Sequence, residues 1–431
     1  MSEESSNAFK PYPYWWERSP RPDLPQGDLP ASVDVVVVGS GYTGLNAALQ
    51  TARGGRSTLV FDAEAAGFGC STRNGGQIST SIKPDYGALS KLYGEAAAFA
   101  ILKEGRDALS WIQDFVGEEG IDCDFKVPGR FHAAHSAWRF EKLAREIENQ
   151  PKGLEVPAHI VPRTEQRGEL GTDVYHGGVV FEAHASLDPG RYHAGLLRKV
   201  LDAGATVQAN SPVTRIDRES SGFTVHVPGG TVRARDVVIA TNGYTGPLTP
   251  WQRRRVIPIG SYVIATDRID PAVMDEVMPK NRIVSDSRKV VYYYRPSPDR
   301  SRILFGGRVT NGEIDPKLSG ARLHRELLRL FPQLAGVGVS HSWMGTVAYT
   351  FGTMAHLGRR DGMYYAMGYC GSGVSMASYL GMKTGLQVLG REDGYSPLQD
   401  TSFTTRPLYT GKPWFLAASV AWYRLLDATG L

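Results

Sequence analysis

Apolar side chains in the first part of the chain form short continuous runs, separated by a stretch of helical character. Residues 33–38 are almost entirely valine and residues 58–61 form a second apolar run, so both have the length and composition of buried strands. Residues 45–50, between these runs, combine small and apolar side chains and predict a helix. A strand, a helix and a second strand in this order predict a Rossmann-like α/β sheet.

The middle of the chain mixes helical and strand patterns. In residues 96–116 the apolar positions recur every three or four residues, as on an amphipathic helix, and residues 137–149 predict another helix. Asp188 and Pro189 are typical of an N-cap and a first helical position. Residues 236–240 then form an apolar strand, so helical segments are inserted between strands of the sheet.

Residues 251–350 carry a different pattern, which predicts a second domain. Residues 258–266, 290–295 and 302–308 are strand-like segments separated by polar turns, and this favours an antiparallel sheet. Residues 363–367 predict a later strand that runs through a glycine-rich turn into a helix. We therefore expect an α/β fold that combines a discontinuous Rossmann-like domain with an α+β domain built on an antiparallel sheet.

The turn after the first predicted strand carries a specific dinucleotide-binding pattern. Gly39, Gly41 and Gly44 form G-x-G-x-x-G, in which the glycines permit a tight turn, close approach to a pyrophosphate and close helix–strand packing. The N-terminus of the following helix offers free N–H groups to the phosphates. Asp62, 18 residues after Gly44, is placed to accept a hydrogen bond from a ribose hydroxyl. Together these features predict an adenine dinucleotide site.

A second glycine-rich loop, residues 67–77, follows Asp62 and contains Arg-Asn-Gly-Gly-Gln at residues 73–77. With the aromatic leader at residues 12–17, it resembles the FAD-dependent amine and amino-acid oxidoreductases of the D-amino-acid oxidase, glycine oxidase and sarcosine oxidase group. Within that group the chain is most similar to the gamma-glutamylputrescine oxidase branch, from the leader to about residue 395. The resemblance implies FAD as the cofactor.

The resemblance also implies interleaved domains. We expect an N-terminal arm at residues 1–32, an FAD-binding domain at 33–90, 186–250 and 352–400, a substrate domain at 91–185 and 251–351, and a C-terminal extension at 401–431. The arm should be ordered and extended, because its four large aromatic side chains are unfavourable in water. The residues expected to contact FAD are Gly39, Gly41, Tyr42, Thr43, Gly44, Asp62, Ala63, Ser71, Thr72, Arg73, Asn74, Gly75, Gly76, Gln77, Val213, Thr241, Gly243, Gly371, Ser372, Gly373 and Val374.

The last glycine-rich loop, residues 368–374, precedes a helix whose N-terminus can stabilise negative charge on a reduced flavin. In the resembled branch this loop meets the flavin ring and reads G-Y-S-G-H-G, so Cys370 and Ser372 replace a serine and a histidine. Sarcosine oxidases attach their flavin to a cysteine upstream of this loop, but residues 343–346 contain none. We therefore expect noncovalent FAD, although Cys70 and Cys370 lie in the two loops that the resemblance places at the flavin, so either thiol could lie near the ring.

The chemistry implied by a flavin is hydride transfer from the carbon beside an amine nitrogen, which requires positioning and a neutral amine. The resemblance places the antiparallel sheet over the flavin, and we take Tyr292, Tyr294 and Tyr349 as catalytic candidates; alternatively, such tyrosines pack on a helix layer. Amino-acid oxidases of the group bind the substrate carboxylate with an arginine before the final loop, but residues 346–351 contain none. This favours a primary or secondary amine, gamma-glutamyl-linked amines included, over a free α-amino acid.

The electron acceptor is expected to be O2, which would be reduced to H2O2. A dehydrogenase that passes electrons to a quinone or a carrier protein is an alternative, and so is an amino-acid oxidase. A non-enzymatic FAD-binding protein is disfavoured, because the flavin-facing loops as well as the phosphate loop are intact.

Composition and charge add few constraints. The 48 basic and 44 acidic residues give a net charge of +4, and no dense basic tract suggests nucleic acid. The three cysteines share no C-x-x-C spacing, no metal site is expected, and a reducing cytoplasm suits them. The first thirty residues lack the apolar core of a signal peptide, and no run has the length of a membrane span. Residues 414–423 predict a docked amphipathic helix, with contact to a membrane surface as the alternative.

Overall fold

The computed structural model describes residues 9–24, 27–80, 82–307 and 315–430 of the 431-residue chain. The strands in these ranges are β1 (Ser32–Val38), β2 (Thr58–Phe61), β3 (Gln77–Ile78), β4 (Arg130–Ala133), β5 (Ala158–Val161), β6 (Gly178–Phe181), β7 (Ala185–Ser186), β8 (Thr206–Gln208), β9 (Arg215–Glu219), β10 (Gly222–Val227), β11 (Gly230–Ile239), β12 (Val256–Thr266), β13 (Ile283–Asp286), β14 (Tyr293–Pro296), β15 (Ile303–Gly307), β16 (Val339–Thr350), β17 (His356–Arg360) and β18 (Met363–Met367). The α-helices are α1 (Tyr14–Arg18), α2 (Tyr42–Arg53), α3 (Tyr86–Tyr93), α4 (Glu95–Glu118), α5 (Ala137–Glu148), α6 (Pro189–Asp202), α7 (Pro250–Arg253), α8 (Pro271–Val277), α9 (Pro316–Leu330), α10 (Gly373–Val388) and α11 (Leu416–Ala428).

The first sheet contains both strands that flank the predicted dinucleotide turn. Its main path runs β17, β18, β11, β1, β2, β8. β1 lies in the middle and pairs in parallel with β2 and β11, and β18 pairs in parallel with β11. β9 and β10 extend from β11 as an antiparallel meander. Strands far apart in sequence therefore share one sheet, and the predicted Rossmann-like α/β fold is confirmed.

The second sheet has the order β16, β12, β15, β14, β13, β4, β6, β5. Its pairs are antiparallel except for β13 and β4, which are parallel. β12 and β16 are the longest pair and stay in register from Val256 opposite Thr350 to Ala265 opposite His341. The side chains of α9 pack on one face of this sheet, in a core that includes Leu323 and Phe305. The predicted α+β part on an antiparallel sheet is confirmed in class, with one parallel pair.

Several elements differ in detail from the patterns that predicted them. The strand expected at residues 290–295 begins only at Tyr293. The N-terminal arm contains the short helix α1, so the arm is not extended throughout, and its first eight residues lie outside the described ranges, as does Arg308. The predicted C-terminal helix is α11, whose Val420 is buried. No helix in the described ranges combines the length and the apolarity needed to cross a bilayer.

Two parallel helices pack against each other at backbone distance beneath the first sheet. A Cβ on Gly381 of α10 would lie 2.4 Å from the carbonyl oxygen of Thr43 in α2, and one on Gly385 would lie 2.7 Å from that of Ala47. A step of four residues along α10, from Gly381 to Gly385, matches a step of four residues along α2, from Thr43 to Ala47, so the two helices run in the same direction. Glycine at these positions therefore lets the N-terminal ends of both helices point toward the same region.

Candidate active site

The turn between β1 and α2 has glycine where a side chain would not fit. Gly39 has φ of +107°, and a Cβ there would lie 2.9 Å from the carbonyl oxygen of Ala240. A Cβ on Gly44 would lie 1.8 Å from the carbonyl oxygen of Gly39, so α2 touches the end of β1. Gly41 is the N-cap of α2 and has no side chain to cap it. The N–H of Tyr42 donates to the hydroxyl of Ser71 at 3.0 Å, and the other N–H groups of the first helical turn stay available for an anionic ligand such as a pyrophosphate.

Asp62 lies at the end of β2, beside this turn. Its Oδ2 accepts hydrogen bonds from the backbone N–H and the hydroxyl of Ser40, at 2.8 and 2.6 Å, and its Oδ1 accepts one from the N–H of Glu64 at 3.0 Å. These bonds orient the carboxylate and leave lone-pair capacity on Oδ1 for a further donor. Ala63, the next residue, is exposed. A ribose hydroxyl fits beside such a carboxylate.

The start of α10 provides a second helix N-terminus. Its N-cap Ser372 makes no side-chain cap hydrogen bond, and a Cβ on Gly373 would meet open space. Gly381 of α10 lies beside Thr43 in the first turn of α2, and α10 already begins at Gly373, so its N-terminus lies about 10 Å beyond that of α2. An extended dinucleotide can span this distance from a pyrophosphate at α2 to a ring system at α10. The two helix ends, the glycine turn and Asp62 therefore fit FAD.

The loop at residues 67–77, which we expect to face the flavin and call the flavin-facing loop, is held in shape by its own side chains. The Nδ2 of Asn74 donates to the carbonyl oxygens of Cys70 and Ser71 at 3.1 and 2.8 Å, and its Oδ1 accepts from the N–H of Gly76 at 2.8 Å. The Thr72 hydroxyl donates to a loop carbonyl at 2.6 Å. Asn74 and Thr72 thus use their polar atoms inside the loop, which leaves mainly backbone to contact a cofactor.

A buried arginine joins this loop to the second sheet. Gly76 has φ of +67°, and a Cβ on it would lie 2.2 Å from the carbonyl oxygen of Leu187. Arg295 of β14 is buried, and its guanidinium donates to the carbonyl oxygens of Gly76 and Leu187 at 3.0 and 2.9 Å. The Nε2 of Gln77 donates to the carbonyl oxygen of Tyr294 at 3.0 Å. Arg295 and Gln77 therefore fix the loop against β14.

The helix α1 of the arm covers the loop from outside. The indole nitrogen of Trp15 donates to the carbonyl oxygen of Asn74, and that of Trp16 donates to the hydroxyl of Thr72, both at 2.8 Å. Sequence reasoning expected an ordered arm and did not identify these two contacts. Both indoles of this short helix therefore bind the same loop.

Arg73 is engaged on two sides. Its Nε donates to the carbonyl oxygen of Phe68 at 2.7 Å and its guanidinium donates to that of Met344 at 3.1 Å. The guanidinium carbon lies 4.7 Å from the ring centroid of Trp16. Burial is the main cause that lowers the pKa of Arg73. Arg73 thus connects the loop, the arm and β16.

The face of the second sheet that meets the loop carries Tyr293. A Cβ on Gly75 would lie 3.0 Å from its ring, and its hydroxyl is 2.9 Å from the hydroxyl oxygen of Ser261. Burial, and to a smaller extent Cys70 and Tyr349, raise the pKa of Tyr293, so its hydroxyl stays protonated at neutral pH. Sequence reasoning missed Tyr293 although it lies between the two tyrosines that were chosen.

Tyr292 and Tyr294 lie on the opposite side of that sheet. Tyr294 is fully buried, and its hydroxyl donates to that of Tyr175 at 3.3 Å. Its ring centroid is 5.7 Å from that of Phe331, and the ring of Tyr292 is 5.3 Å from that of Phe305. Successive side chains of a strand point to opposite faces, so both tyrosines face the core beneath α9. The structure brings neither hydroxyl to the flavin-facing loop, and neither residue enters the site proposed below.

Tyr349, near the end of β16, lies beside the last glycine-rich loop. A Cβ on Gly371, whose φ is +98°, would be 3.5 Å from the Tyr349 hydroxyl. The N–H of Cys370 donates to the carbonyl oxygen of Ala348 at 3.0 Å and fastens this loop to β16. The Nζ of Lys83, an exposed side chain, lies 5.5 Å from the centre of the Tyr349 ring. Tyr349 therefore stands between the start of α10 and a cation at the protein surface.

The other predicted cofactor contacts lie near these groups or support them. The hydroxyls of Thr241 and Thr245 are 2.7 Å apart, and a Cβ on Gly243 would lie 2.8 Å from the carbonyl oxygen of Thr346. Val374 is buried at the start of α10, and Val213 packs at the edge of the core of the first sheet. The ring of Tyr42 points into the protein, where its hydroxyl donates to the carbonyl oxygen of Pro189 at 3.1 Å.

Two further residues near the site, Asn242 and Tyr244, are not among the residues predicted from the sequence. Asn242 has φ of +42°, and its Oδ1 accepts a hydrogen bond from the N–H of Gly368 at 2.9 Å, which joins the turn after β11 to the last loop. The Tyr244 hydroxyl accepts one from the N–H of Thr346 at 3.3 Å. Asn242 follows the strand of residues 236–240, so the polar turn that closes that strand was the available signal.

The two thiols of the site are protonated at neutral pH. Burial raises the pKa of Cys70 and that of Cys370 to about 11. The sulfur of Cys70 would lie 3.3 Å from a Cβ on Gly345 of β16, and the thiol of Cys370 donates to the carbonyl oxygen of Gly368 at 3.0 Å. Within the described ranges no group of three or more His, Cys, Asp or Glu side chains is arranged to hold a metal ion.

Comparison with known proteins agrees with this geometry. The family model described as DAO, FAD dependent oxidoreductase, matches residues 34–385. The chain is 30% identical to the probable oxidoreductase OrdL of Rhizobium meliloti (strain 1021), over 96% of this chain and 97% of that protein. It is also 30% identical to the gamma-glutamylputrescine oxidoreductase of Escherichia coli (strain K12), over 92% and 93%. The crystal structure of glycine oxidase from Geobacillus kaustophilus has the same fold, with a TM-score of 0.74, 19% identity and coverage of 88% and 99%.

The matched residues include the glycine turn, Asp62, the flavin-facing loop and most of α10. The structural features that fit FAD therefore coincide with the region that the family model describes. The chain belongs to the DAO family of FAD-dependent oxidoreductases, and FAD is its cofactor.

Proposed function

We propose that this enzyme oxidises a primary or secondary amine. A hydride leaves the carbon that bears the nitrogen, the nitrogen lone pair forms the C=N bond, and water hydrolyses the product to a carbonyl compound and an amine or ammonia. FAD, when bound, supplies the two-electron acceptor for that hydride. The turn at residues 39–44, Asp62 and the loops at 67–77 and 371–374 would hold the cofactor. The remaining task of the protein is to position the reacting C–H bond and to exclude the protonated amine.

The observation that carries this proposal is that the arginines in and beside the flavin-facing loop already donate hydrogen bonds to backbone carbonyl oxygens. A free α-amino acid needs a cation for its carboxylate close to the reacting carbon. Arg73 and Arg295 both donate to backbone carbonyls, and burial lowers the pKa of Arg295 to about 10. The side chains beside the flavin-facing loop are instead the hydroxyls of Tyr293 and Ser261, and the hydroxyl of Tyr349 lies beside the last glycine-rich loop. A site lined by hydroxyl groups binds an uncharged amine more favourably than an α-carboxylate.

Lys83 supports a more specific substrate class. The E. coli relative is named for gamma-glutamylputrescine, which carries an α-amino acid group, with its carboxylate, at one end and a primary amine at the other. The exposed ammonium of Lys83, above the ring of Tyr349, is placed to pair with such a remote carboxylate. Its positive charge also disfavours protonation of a nearby substrate amine. We propose gamma-glutamyl-linked amines as the substrate class.

We further propose noncovalent FAD and O2 as the electron acceptor. Formation of a cysteinyl bond to the flavin requires a thiolate, and the raised pKa values of Cys70 and Cys370 oppose it. The relative from Geobacillus kaustophilus that is named glycine oxidase supports O2 as acceptor. Acid precipitation should release all yellow colour to the supernatant, and turnover under air should yield H2O2. Colour that stays with the precipitate would contradict the first point, and dye reduction without peroxide formation would contradict the second.

The test of the substrate class is anaerobic bleaching of the flavin absorbance by a panel of compounds. Gamma-glutamylputrescine and related amines should bleach the holoenzyme faster than glycine, sarcosine or D-alanine at equal concentration. Rapid bleaching by the amino acids together with no response to the amines would overturn the proposal. The purified enzyme must be yellow before the substrate is added, so that loss of FAD is not mistaken for loss of activity.

A further inference from the structure

The helix α11 presents an apolar stripe to solvent. Ala418, Trp422 and Leu425 follow one another at spacings of four and three residues, so they share one side of the helix, and all three are exposed. Trp414 lies in the turn that precedes the helix and is 72% exposed, compared with 57% for Trp422 and 55% for Leu425. We call Trp414, Ala418, Trp422 and Leu425 the C-terminal stripe. Large apolar groups grouped in this way mark an interaction surface.

The stripe is held in place by contacts at both ends of the helix. The carboxylate of Asp427 accepts hydrogen bonds from the N–H groups of Lys289 and Val290 at 2.6 and 3.0 Å. The ring centroid of Phe415 lies 6.1 Å from that of Phe351, and Val420 is buried. The helix is therefore fixed to the second sheet with its stripe outward, and the stripe is a surface of the folded molecule.

A cationic cleft lies beside the stripe. Its volume is about 640 Å³, and its lining includes Arg424 of α11 together with Arg322, Arg325 and Arg329 of α9. Arg288 also lines it but is paired with the buried Asp286, and Glu326 and Asp427 supply the opposite charge within the lining. Asp427 is used by backbone N–H groups, and Glu326 pairs with Arg329 at 2.7 Å. The cleft therefore adds an excess of positive charge next to the apolar surface.

The helix α5 adds the same chemistry near the end of α11. Its N-cap Ser136 donates to the carbonyl oxygen of Gly430 at 2.7 Å, which places the start of α5 close to the C-terminal residues. Trp138 is 44% exposed, and the cationic groups of Arg139 and Lys142 lie 4.7 and 5.8 Å from its ring centroid. Exposed tryptophan beside arginine and lysine thus occurs on two neighbouring elements.

We propose that this surface binds an anionic lipid bilayer, with α11 lying in the plane of the interface. Exposed tryptophan and leucine insert among headgroups and upper acyl chains, and neighbouring arginines bind anionic headgroups. A second copy of the chain fits less well, because a twofold contact through this patch would bring two cationic clefts together. This inference goes beyond the proposed reaction and does not depend on its substrate.

The test is co-sedimentation of the yellow holoenzyme with vesicles. The enzyme should pellet with vesicles of equimolar phosphatidylcholine and phosphatidylglycerol. It should bind more weakly when salt is added, and more weakly to vesicles of phosphatidylcholine alone. The double variant Trp422→Ser/Leu425→Ser should bind about tenfold more weakly, because two inserted side chains are lost. Arg325→Ser should bind about fivefold more weakly. Leu92→Ser, which removes a 71% exposed leucine from α3, is the matched control and should bind like the wild type.

Three results would overturn the proposal. The first is no pelleting with either vesicle, and the second is equal pelleting of wild type and both stripe and arginine variants. The third is a wild-type dimer in solution that Trp422→Ser/Leu425→Ser converts to a monomer, since the stripe would then be covered by a second copy. FAD content and melting temperature identify any variant that misfolds. If the double variant misfolds, the binding of Arg325→Ser tests the proposal.

Discussion

At the scale of single residues, the side of a strand on which a tyrosine lies determines its chemistry. Tyr293 packs its ring over Gly75 of the flavin-facing loop, whereas Tyr292 and Tyr294, one position to either side, face the core beneath α9. Side chains alternate between the two faces of a strand. A prediction that is shifted by one residue therefore assigns every side chain to the wrong face. Tyr293 and Tyr349 are therefore the hydroxyls that we expect to affect the reaction.

Replacing Tyr349 or Tyr293 by Phe should slow flavin reduction while leaving FAD bound. Loss of one hydrogen bond costs about 0.5–1.5 kcal/mol, or roughly threefold to tenfold in kcat/KM. Rapid mixing with substrate under anaerobic conditions measures the reduction rate directly. Tyr292→Phe is the matched control, because its hydroxyl lies on the other face, and it should reduce at the wild-type rate. An equal loss in all three variants, or no loss in any, would refute the assignment.

Replacing Lys83 by Gln should discriminate between substrates with and without a remote carboxylate. An exposed ion pair contributes about 0.5–1 kcal/mol, so KM for gamma-glutamylputrescine should rise roughly twofold to fivefold. KM for putrescine, which has no carboxylate, should change less. Lys91→Gln removes an exposed lysine from α3 and serves as the control. An unchanged ratio of the two KM values in Lys83→Gln would exclude the ion pair.

At the scale of elements, the turn at the start of α2 is the part of the site that depends most on glycine. A Cβ on Gly41 would lie 2.9 Å from the hydroxyl oxygen of Ser71, whereas a Cβ on Gly246 would meet open space. Gly41→Val should therefore yield colourless protein, and Gly246→Val should retain FAD. The ratio of flavin to protein absorbance checks both variants. A yellow Gly41→Val protein would show that the dinucleotide lies elsewhere.

The packing of His356 in β17 against the segment at residues 401–403 should weaken in acid. Burial lowers the pKa of His356 to about 4, its ring stacks on Phe403 at 4.2 Å, and its Nε2 is buried without a hydrogen-bond partner. The unfolded chain binds this proton more readily than the folded one, so the contribution is present above the unfolded pKa of about 6.5 and is lost as pH falls toward 4.

The loss attributable to His356 between about pH 7 and about pH 5 should be about 2 kcal/mol of unfolding free energy. His356→Gln should therefore show a smaller drop in melting temperature over that interval than the wild type. His159→Gln, which replaces an exposed histidine of β5, is the control and should keep the wild-type slope. A wild-type slope in His356→Gln would mean that other groups govern the acid sensitivity.

The elements that could be predicted from sequence are those determined by local chemistry. The run at residues 33–38, the glycines at 39, 41 and 44 and the helix at 96–116 each depend on neighbours within a few positions, and the structure has β1, the turn and α4 there. The face of β14, the helix α1 and the role of Arg295 depend on contacts with distant residues. Trp15 finds its hydrogen-bond acceptor in Asn74, 59 residues away, and Arg295 finds one in Gly76, 219 residues away. No local pattern contains these distances.

At the scale of the whole molecule, the flavin-facing loop is the place where the two sheets are joined. It belongs to the chain between β2 and β3, yet Arg295 and Gln77 fix it to β14, and the indole of Trp343 in β16 donates to the carbonyl oxygen of Arg73 at 2.8 Å. A cofactor held between α2 and this loop would contact groups that depend on both sheets. FAD binding and the cohesion of the molecule should therefore be coupled.

This coupling predicts that FAD raises the melting temperature of a single cooperative transition. A ligand at about 100 times its dissociation constant adds about 2.7 kcal/mol to the unfolding free energy. For a chain of 431 residues, the entropy of unfolding converts that gain into a shift of about 3 °C. Calorimetry of the apoenzyme with increasing FAD measures the shift, and Gly41→Val, which should not bind FAD, should show none. Two separate transitions, of which FAD shifts one alone, would show that the sheets unfold independently and that the bonds of Arg295 and Gln77 do not couple them.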